Sequence, residues 1–397
     1  MMANRVDFAV PETLAADVRR WRTRSLGIGV PALLLCILGA FISPDQFFRS
    51  YLWAYMFIIG VTLGSMALLM LQYLTGGAWG IVIRRLCEAA SRTLPLVAVL
   101  FLPVVLGIPR LYEWSHPDAV AADEILKHKS IYLNVPFFLV RAAIYFAGWL
   151  LMAYFLNKWS LEEDRTGNRD LHRKLQLISG PGLCFYGFTV TFMAIDWVLS
   201  INPHWFSTIF GLLFIAGQGL SALAFLILVV IAFSRYSPFA ENVRPRHLHD
   251  LGKLSLAFVM VWAYFTFSQF LIIWAGNLPE EITFYVARLR GGWEWIGLAL
   301  VVFHFALPFG LLLSRDLKRS FGFMSVIGLW IIIMRLVDLF WLVAPDFRRG
   351  AFGVSWMDFL APIGLCGIWL AAFAWQVPRR PLLPVQDPHL EEALYHG

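Results

Sequence analysis

Residues 206–234, FSTIFGLLFIAGQGLSALAFLILVVIAFS, run for 29 positions without a charged side chain. A helix needs about 20 mostly apolar residues to cross the hydrocarbon core of a bilayer, so this segment reads as a membrane span. Working outward from it, nine further stretches satisfy the same criterion: 25–42, 51–74, 93–108, 135–157, 175–199, 254–274, 292–313, 321–343 and 354–376. Composition agrees, because 59% hydrophobic residues, 17 Trp, 34 Phe and a mean hydropathy of +0.68 exceed what a soluble chain of 397 residues carries. Ten-residue segments of alternating polarity are missing, which argues against a β-barrel. The expected fold is all-α and polytopic, with about ten transmembrane helices. Three regions are expected: an N-terminal segment 1–24, a single transmembrane domain 25–376, and a C-terminal tail 377–397.

Basic residues orient the spans. The N-terminal segment, alternate loops and the tail hold 22 of the 32 Lys and Arg, against 8 in the opposite loops, and only Arg141 and Arg335 lie within spans. By the positive-inside rule both termini face the cytoplasm. The net charge of +6 then reflects contact with anionic lipid headgroups, and the scattered basic residues do not suggest nucleic-acid binding. The run Arg19-Arg20-Trp21-Arg22-Thr23-Arg24 precedes an apolar stretch without a small-residue cleavage pattern, so the first span is expected to remain as an anchor. Cys36, Cys87, Cys184 and Cys366 are far apart and suggest neither a disulfide framework nor a thiolate metal site. Of nine His only His304 falls well inside a span, so no haem or iron–sulfur cluster is expected on this chain.

Two loops are long enough to hold structure. Gly76 to Arg92, GGAWGIVIRRLCEAASR, reads as a helix lying in the inner interface, since apolar and basic residues segregate at helical spacing. The segment 109–134 on the other side holds an amphipathic stretch, DAVAADEILKHK. Spans two to five and six to nine form two similar four-helix units, with Gly60-x-x-x-Gly64-Ser65 echoed by Gly217-x-Gly219-x-Ser221. Small residues at such spacings also serve plain helix packing in lipid.

Ionisable and amide groups inside the spans carry the functional signal, because charge at membrane depth is costly. Arg141 and Asp196 lie at similar depth on sequential helices, Glu294 and Asp358 near the starts of spans eight and ten, and Gln269 near the end of span seven. Arg335 and Asp338, three apart, share a helix face. His304 and Gln218 fall near the midplane. Plain packing accounts for Arg335 with Asp338 and Arg141 with Asp196 as neutralising pairs, whereas carboxylates, an imidazole and amides at graded depth suit a proton path or a quinol headgroup site. The aromatic run Trp262, Tyr264, Phe265 and Phe267 reads as packing or lipid contact.

The run Asp196-Trp197-Val198-Leu199-Ser200-Ile201-Asn202-Pro203-His204-Trp205-Phe206-Ser207-Thr208-Ile209-Phe210-Gly211 resembles a signature of the membrane subunits of bacterial alternative complex III. So do Phe267-Ser268-Gln269-Phe270-Leu271-Ile272-Ile273-Trp274-Ala275-Gly276-Asn277-Leu278-Pro279-Glu280-Glu281, His304-Phe305 with Pro308-Phe309, and Leu313-Ser314-Arg315-Asp316-Leu317-Lys318-Arg319. Those subunits belong to the NrfD-like, polysulfide-reductase membrane-subunit superfamily, and the compact length with Gly76–Gly80 (GGAWG) is similar to the F-type subunit. The resemblance implies two four-helix bundles with flanking helices in a bacterial inner membrane. It also implies a quinol:cytochrome c, or other high-potential acceptor, oxidoreductase of the respiratory chain. The implied partners are a paralogous NrfD-like subunit, a multihaem cytochrome c carrying haem c, and an iron–sulfur subunit. Within that setting the expected proton-path residues are Asp196, Gln218, Gln269, Glu294, His304, Arg335, Asp338 and Asp358, and the expected quinol-binding residues are Arg141, Asp196 and His204. The competing expectation is a secondary transporter with two similar helix bundles.

Overall fold

A computed structural model describes residues 8–348, 350–388 and 390, so the first seven residues of the N-terminal segment, and residues 389 and 391–397 of the tail, lie outside the described residues. Among the described residues ten helices are long and apolar enough to cross a membrane, and none is strand. They are α1 Glu12–Ile42, α2 Pro44–Thr75, α3 Ala78–Leu106, α4 Val135–Thr166, α5 Arg169–Ile201, α6 Phe210–Phe233, α7 Pro245–Gly276, α8 Trp293–Leu313, α9 Phe321–Phe347 and α10 Met357–Arg379. Helix is the only open-ended way to satisfy every backbone polar group in hydrocarbon.

Besides the 3-10 turns that end α5 and α10, two of the ten are irregular within the span, and proline accounts for part of each. In α3, Pro95 and Pro103 each open a new short helical piece, Leu94–Val99 and Leu102–Leu106, after Ile81–Ser91. In α8 the turns widen to a π-helix over Leu300–Ala306 just before Pro308, which has no N–H to give the preceding turn.

Helices α2–α5 close one bundle and α6–α9 a second, with equivalent neighbours in each. The bundles meet through α2 against α6, α2 against α9 and α5 against α6. Every residue from Ser50 to Met66 of α2 is buried. Helices α1 and α10 pair along their length and lean on α2. Without a hydrophobic driving force between helices in lipid, close backbone approach and polar bonds hold such an assembly. Gly64 supplies the approach between bundles, since a Cβ there would sit 2.3 Å from the Gln218 carbonyl oxygen. The glycine echo between spans two and six is thus used for packing.

One expectation fails. The segment 76–92 does not lie on the surface; Ile81–Ser91 is buried throughout and begins α3, which starts some fifteen residues before the expected 93. Arg84 and Arg85 are neutralised by carboxylates from α4 and from the tail, partners that a local hydropathy window does not register. The tail beyond α10 is partly folded onto the same end, where Leu382 N–H donates to the Phe8 carbonyl at 2.9 Å. Both ends of the described chain therefore meet on one face, called here the basic face. The opposite, long-loop face carries 107–134, whose short helices Pro117–Ala122 and Glu124–Lys129 cover the end of the first bundle.

Candidate functional site

At the long-loop end of the first bundle, Asp196 is 1% exposed and accepts from four donors. Arg141 Nε and Nη2 reach its two oxygens at 2.8 and 3.0 Å, and the hydroxyls of Tyr132 and Tyr145 each donate at 2.8 Å. The guanidinium lies 3.9 Å from the Tyr132 ring centre and donates to the Tyr132 carbonyl. Burial, reinforced by the Asp196 charge, pushes the Tyr132 phenol up, so it stays a donor. The loop is pinned over this cluster by Tyr112, which donates to the Trp197 carbonyl, and by Trp114, which donates to that of Ser200. A cavity of about 220 Å³ lies beside it, lined by Lys129, Tyr132, Ser200 and Phe206 among others.

Polar groups continue down α4. Trp149 donates to Thr189 of α5 at 2.9 Å, and one turn on, Tyr186 donates to Oε1 of Gln218 at 2.8 Å. Asn157 donates to Ser91, and Ser160 donates to Glu88 at 2.7 Å. Glu88 also receives Arg85 and Arg380, while Arg84 engages Glu163, Tyr73 and Asp387, and Arg85 engages Asp164. Residues 141, 145, 149, 157, 160 and 164 follow helical spacing, so they form one stripe on α4 about 35 Å long at 1.5 Å per residue. That matches the thickness of a bilayer core. Oδ1 of Asn157 within the stripe and Nε2 of Gln218, on α6, are buried without a protein partner among the described residues, the condition under which ordered water is expected.

The second bundle holds the other charged pair. Arg335 forms an ion pair with Asp338, and Trp262 Nε1 donates to Asp338 Oδ2 at 3.1 Å. The guanidinium occupies the space over Gly217 where a Cβ would be. His304, fully buried in the π-helical stretch, packs edge-on against Trp262 at 4.3 Å, and neither ring nitrogen has a protein partner among the described residues. Asp338 also lines a half-open cavity of about 670 Å³ between α7, α8 and α9, together with Tyr285, Glu294 and Trp341.

The remaining expected residues are dispersed. Glu294 lies in this cavity and accepts from the Gly292 N–H. Gln269 accepts from Ser207 and donates to Tyr285, whose phenol burial pushes up to about 12. Asp358, at the start of α10, ties together Gln46, Ser50, Arg348 and the Ser355 N–H, away from both clusters. His204 is not brought to Arg141 and Asp196; it is exposed and bonds Asp123 of the covering loop at 2.6 Å. Of the expected quinol set, then, only Arg141 and Asp196 are together. Sequence reasoning passed over Tyr145, Asn157, Ser160 and Trp341. For the first three the signal was present, as polar residues recurring at helical spacing inside an apolar span. Among the described residues no group of three or more His, Cys, Asp or Glu is gathered as a metal site.

No protein-family model matches the chain, and no curated protein matches it in sequence. Fold and site define a class: a multi-span helical membrane protein with a polar stripe through one bundle and a charged, aromatic-lined cavity in the other.

Proposed function

We propose that this chain is a proton-conducting membrane subunit of a quinol:cytochrome c, or other high-potential acceptor, oxidoreductase in a bacterial inner membrane, similar to the F-type subunit of alternative complex III. The polar stripe of α4 carries the reading, because it lines the first bundle from the Arg141–Asp196 cluster to the Glu88–Arg85 cluster. Helix pinning needs a pair of charges and has no use for donors and acceptors recurring along a whole span. Quinol oxidation releases two electrons and two protons per molecule. The electrons pass to haem c and iron–sulfur centres on partner subunits, and the protons move along hydroxyls, amides and water in this chain. Asn157 offers a place for such a water, since its amide N–H group is bonded to Ser91 and Ala153 while its carbonyl has no protein partner among the described residues.

The test is to purify the full chain in mild detergent with its accompanying subunits, and to record haem spectra and quinol-driven cytochrome c reduction. Reconstituted vesicles then report the proton-to-electron ratio of the Asn157→Leu variant. Co-purifying haem c with quinol turnover, and a lowered ratio in the variant, support the proposal. A colourless, inactive single species refutes the oxidoreductase reading and favours a transporter; an unchanged ratio refutes the proton path.

A further inference from the structure

We infer that an anionic phospholipid of the basic-face leaflet is held where α7 meets the short helix Arg315–Arg319, its phosphate against Lys253 and Lys318 and an acyl chain along α7. The inference is independent of the oxidoreductase reading. It starts from Lys318, which is only 6% exposed although it belongs to a five-residue helix between two spans. Its stem lies over Gly252 of α7, where a Cβ would sit 2.9 Å from the lysine Cγ. Among the described residues no hydrogen bond or ion pair reaches its ammonium. Lysine is almost never fully buried unless paired, and the charge beside this one has the wrong sign. Burial, and then the neighbouring Lys253 charge, push the Lys318 ammonium below its ordinary range.

The charges of Lys253, Lys318 and Arg319 all act on the ring of His249, so the three gather about the first turns of α7. Asp250 is the carboxylate among them, and it is already shared between Lys253 at 3.1 Å and His249 at 3.6 Å. Three cations against one carboxylate leave a surplus of two positive charges, while Arg315 and Asp316 on the short helix offset each other. A phosphate answers that surplus, because its oxygens accept charge-assisted bonds from several N–H donors at once. The exposed face of α7 says which phosphate. Lys253, Ala257, Met260, Val261 and Tyr264 are all exposed, and their spacing puts them on one side of the helix. The face runs about 16 Å at 1.5 Å per residue, close to half of a hydrocarbon core about 30 Å thick. A headgroup at the two lysines therefore has its acyl chain directly above it on an apolar, lipid-facing surface. Free phosphate would meet the cations and leave that surface unused. Basic pockets between spans are a known means of binding anionic headgroups.

The experiment is native mass spectrometry of the full chain, purified with its accompanying subunits and stripped of lipid by detergent exchange. It is then titrated with phosphatidylglycerol or with phosphatidylethanolamine, and inorganic phosphate serves as competitor. Phosphatidylglycerol bound about tenfold more tightly than phosphatidylethanolamine, and not displaced by inorganic phosphate, is the expected result. Lys318→Gln and Lys253→Gln should each weaken it about fivefold, whereas Lys174→Gln, at an exposed lysine of α5 in the first bundle, should leave it unchanged. If Lys318→Gln does not fold, Lys253→Gln, at an exposed position, decides. Equal binding of the two lipids, unchanged affinity in Lys253→Gln, or an equal loss in Lys174→Gln overturns the inference. Displacement by inorganic phosphate would assign the charges to a free anion, and loss of a subunit from Lys253→Gln with lipid binding intact would assign them to a protein partner; either result overturns it as well.

Discussion

Replacing Asp196 by Asn removes the carboxylate paired with Arg141 in the first bundle and exchanges a carboxylate oxygen for an N–H donor. The buried guanidinium loses its counter-charge and one of its two bonds, of 2.8 and 3.0 Å, and one of the hydroxyls of Tyr132 and Tyr145 meets a donor where it had an acceptor. Breaking one side of a buried ion pair costs about 3–5 kcal/mol, and an orphaned buried hydroxyl adds about 1–3 kcal/mol. Arg141→Met leaves the opposite charge stranded, although two phenols still donate to it, so about 3 kcal/mol is expected. The double variant removes both charges and strands neither. Its destabilisation should fall short of the sum of the single variants by several kcal/mol, as groups in direct contact do. Steric-trapping or denaturant unfolding in mixed micelles measures the cycle. Single effects that add to within about 0.5 kcal/mol would show that the two residues do not act as a pair, and the account of the long-loop cluster given above would be wrong.

Three other results are expected. Gly64→Leu forces a side chain into the Gln218 carbonyl and should cost about 3 kcal/mol or more, read as lower thermal stability in detergent, while Gly187→Ala, with nothing within 4 Å of the added carbon, should have little effect. Ending the chain after Arg379 removes Arg380 from Glu88 and Asp387 from Arg84; protease cleavage at the basic face should rise sharply, and unchanged protection would deny the tail a structural role. The bond from His204 holds the Asp123 carboxyl below its ordinary 3.8. A carboxylate with a depressed value stabilises the fold above the unfolded-state value and loses that contribution as pH falls through its own. Pepsin cleavage within 117–129 should therefore increase only below about pH 4, and Asp123→Asn should abolish that pH dependence.

Much of the fold was legible because hydropathy is a local sum. Ten apolar stretches, the loops between them and the two oppositely charged pairs at Arg141–Asp196 and Arg335–Asp338 all follow from what each segment must do in lipid or from depth along a helix. The third span was misread for a matching reason. Arg84 and Arg85 look like surface residues until Glu163, Asp164 and Asp387 arrive from 79 and 303 positions away. His204 failed in the opposite sense: its motif neighbours Asp196 in sequence, yet the chain turns after α5 and carries it onto the surface.

What the sequence determined by itself was therefore the class and its alphabet: an all-α membrane chain with a handful of intramembrane groups too costly to be incidental. Only the tertiary structure decided which of them act together. Bundle packing lines Tyr145, Asn157 and Ser160 up with Asp196 and Glu88, sends Asp358 to a helix junction, and sets Asp338 and Trp341 on one cavity wall. Burial and hydrogen-bond satisfaction are properties of pairs distant along the chain, and a pair acquires its energy only once the backbone has brought both members out of water.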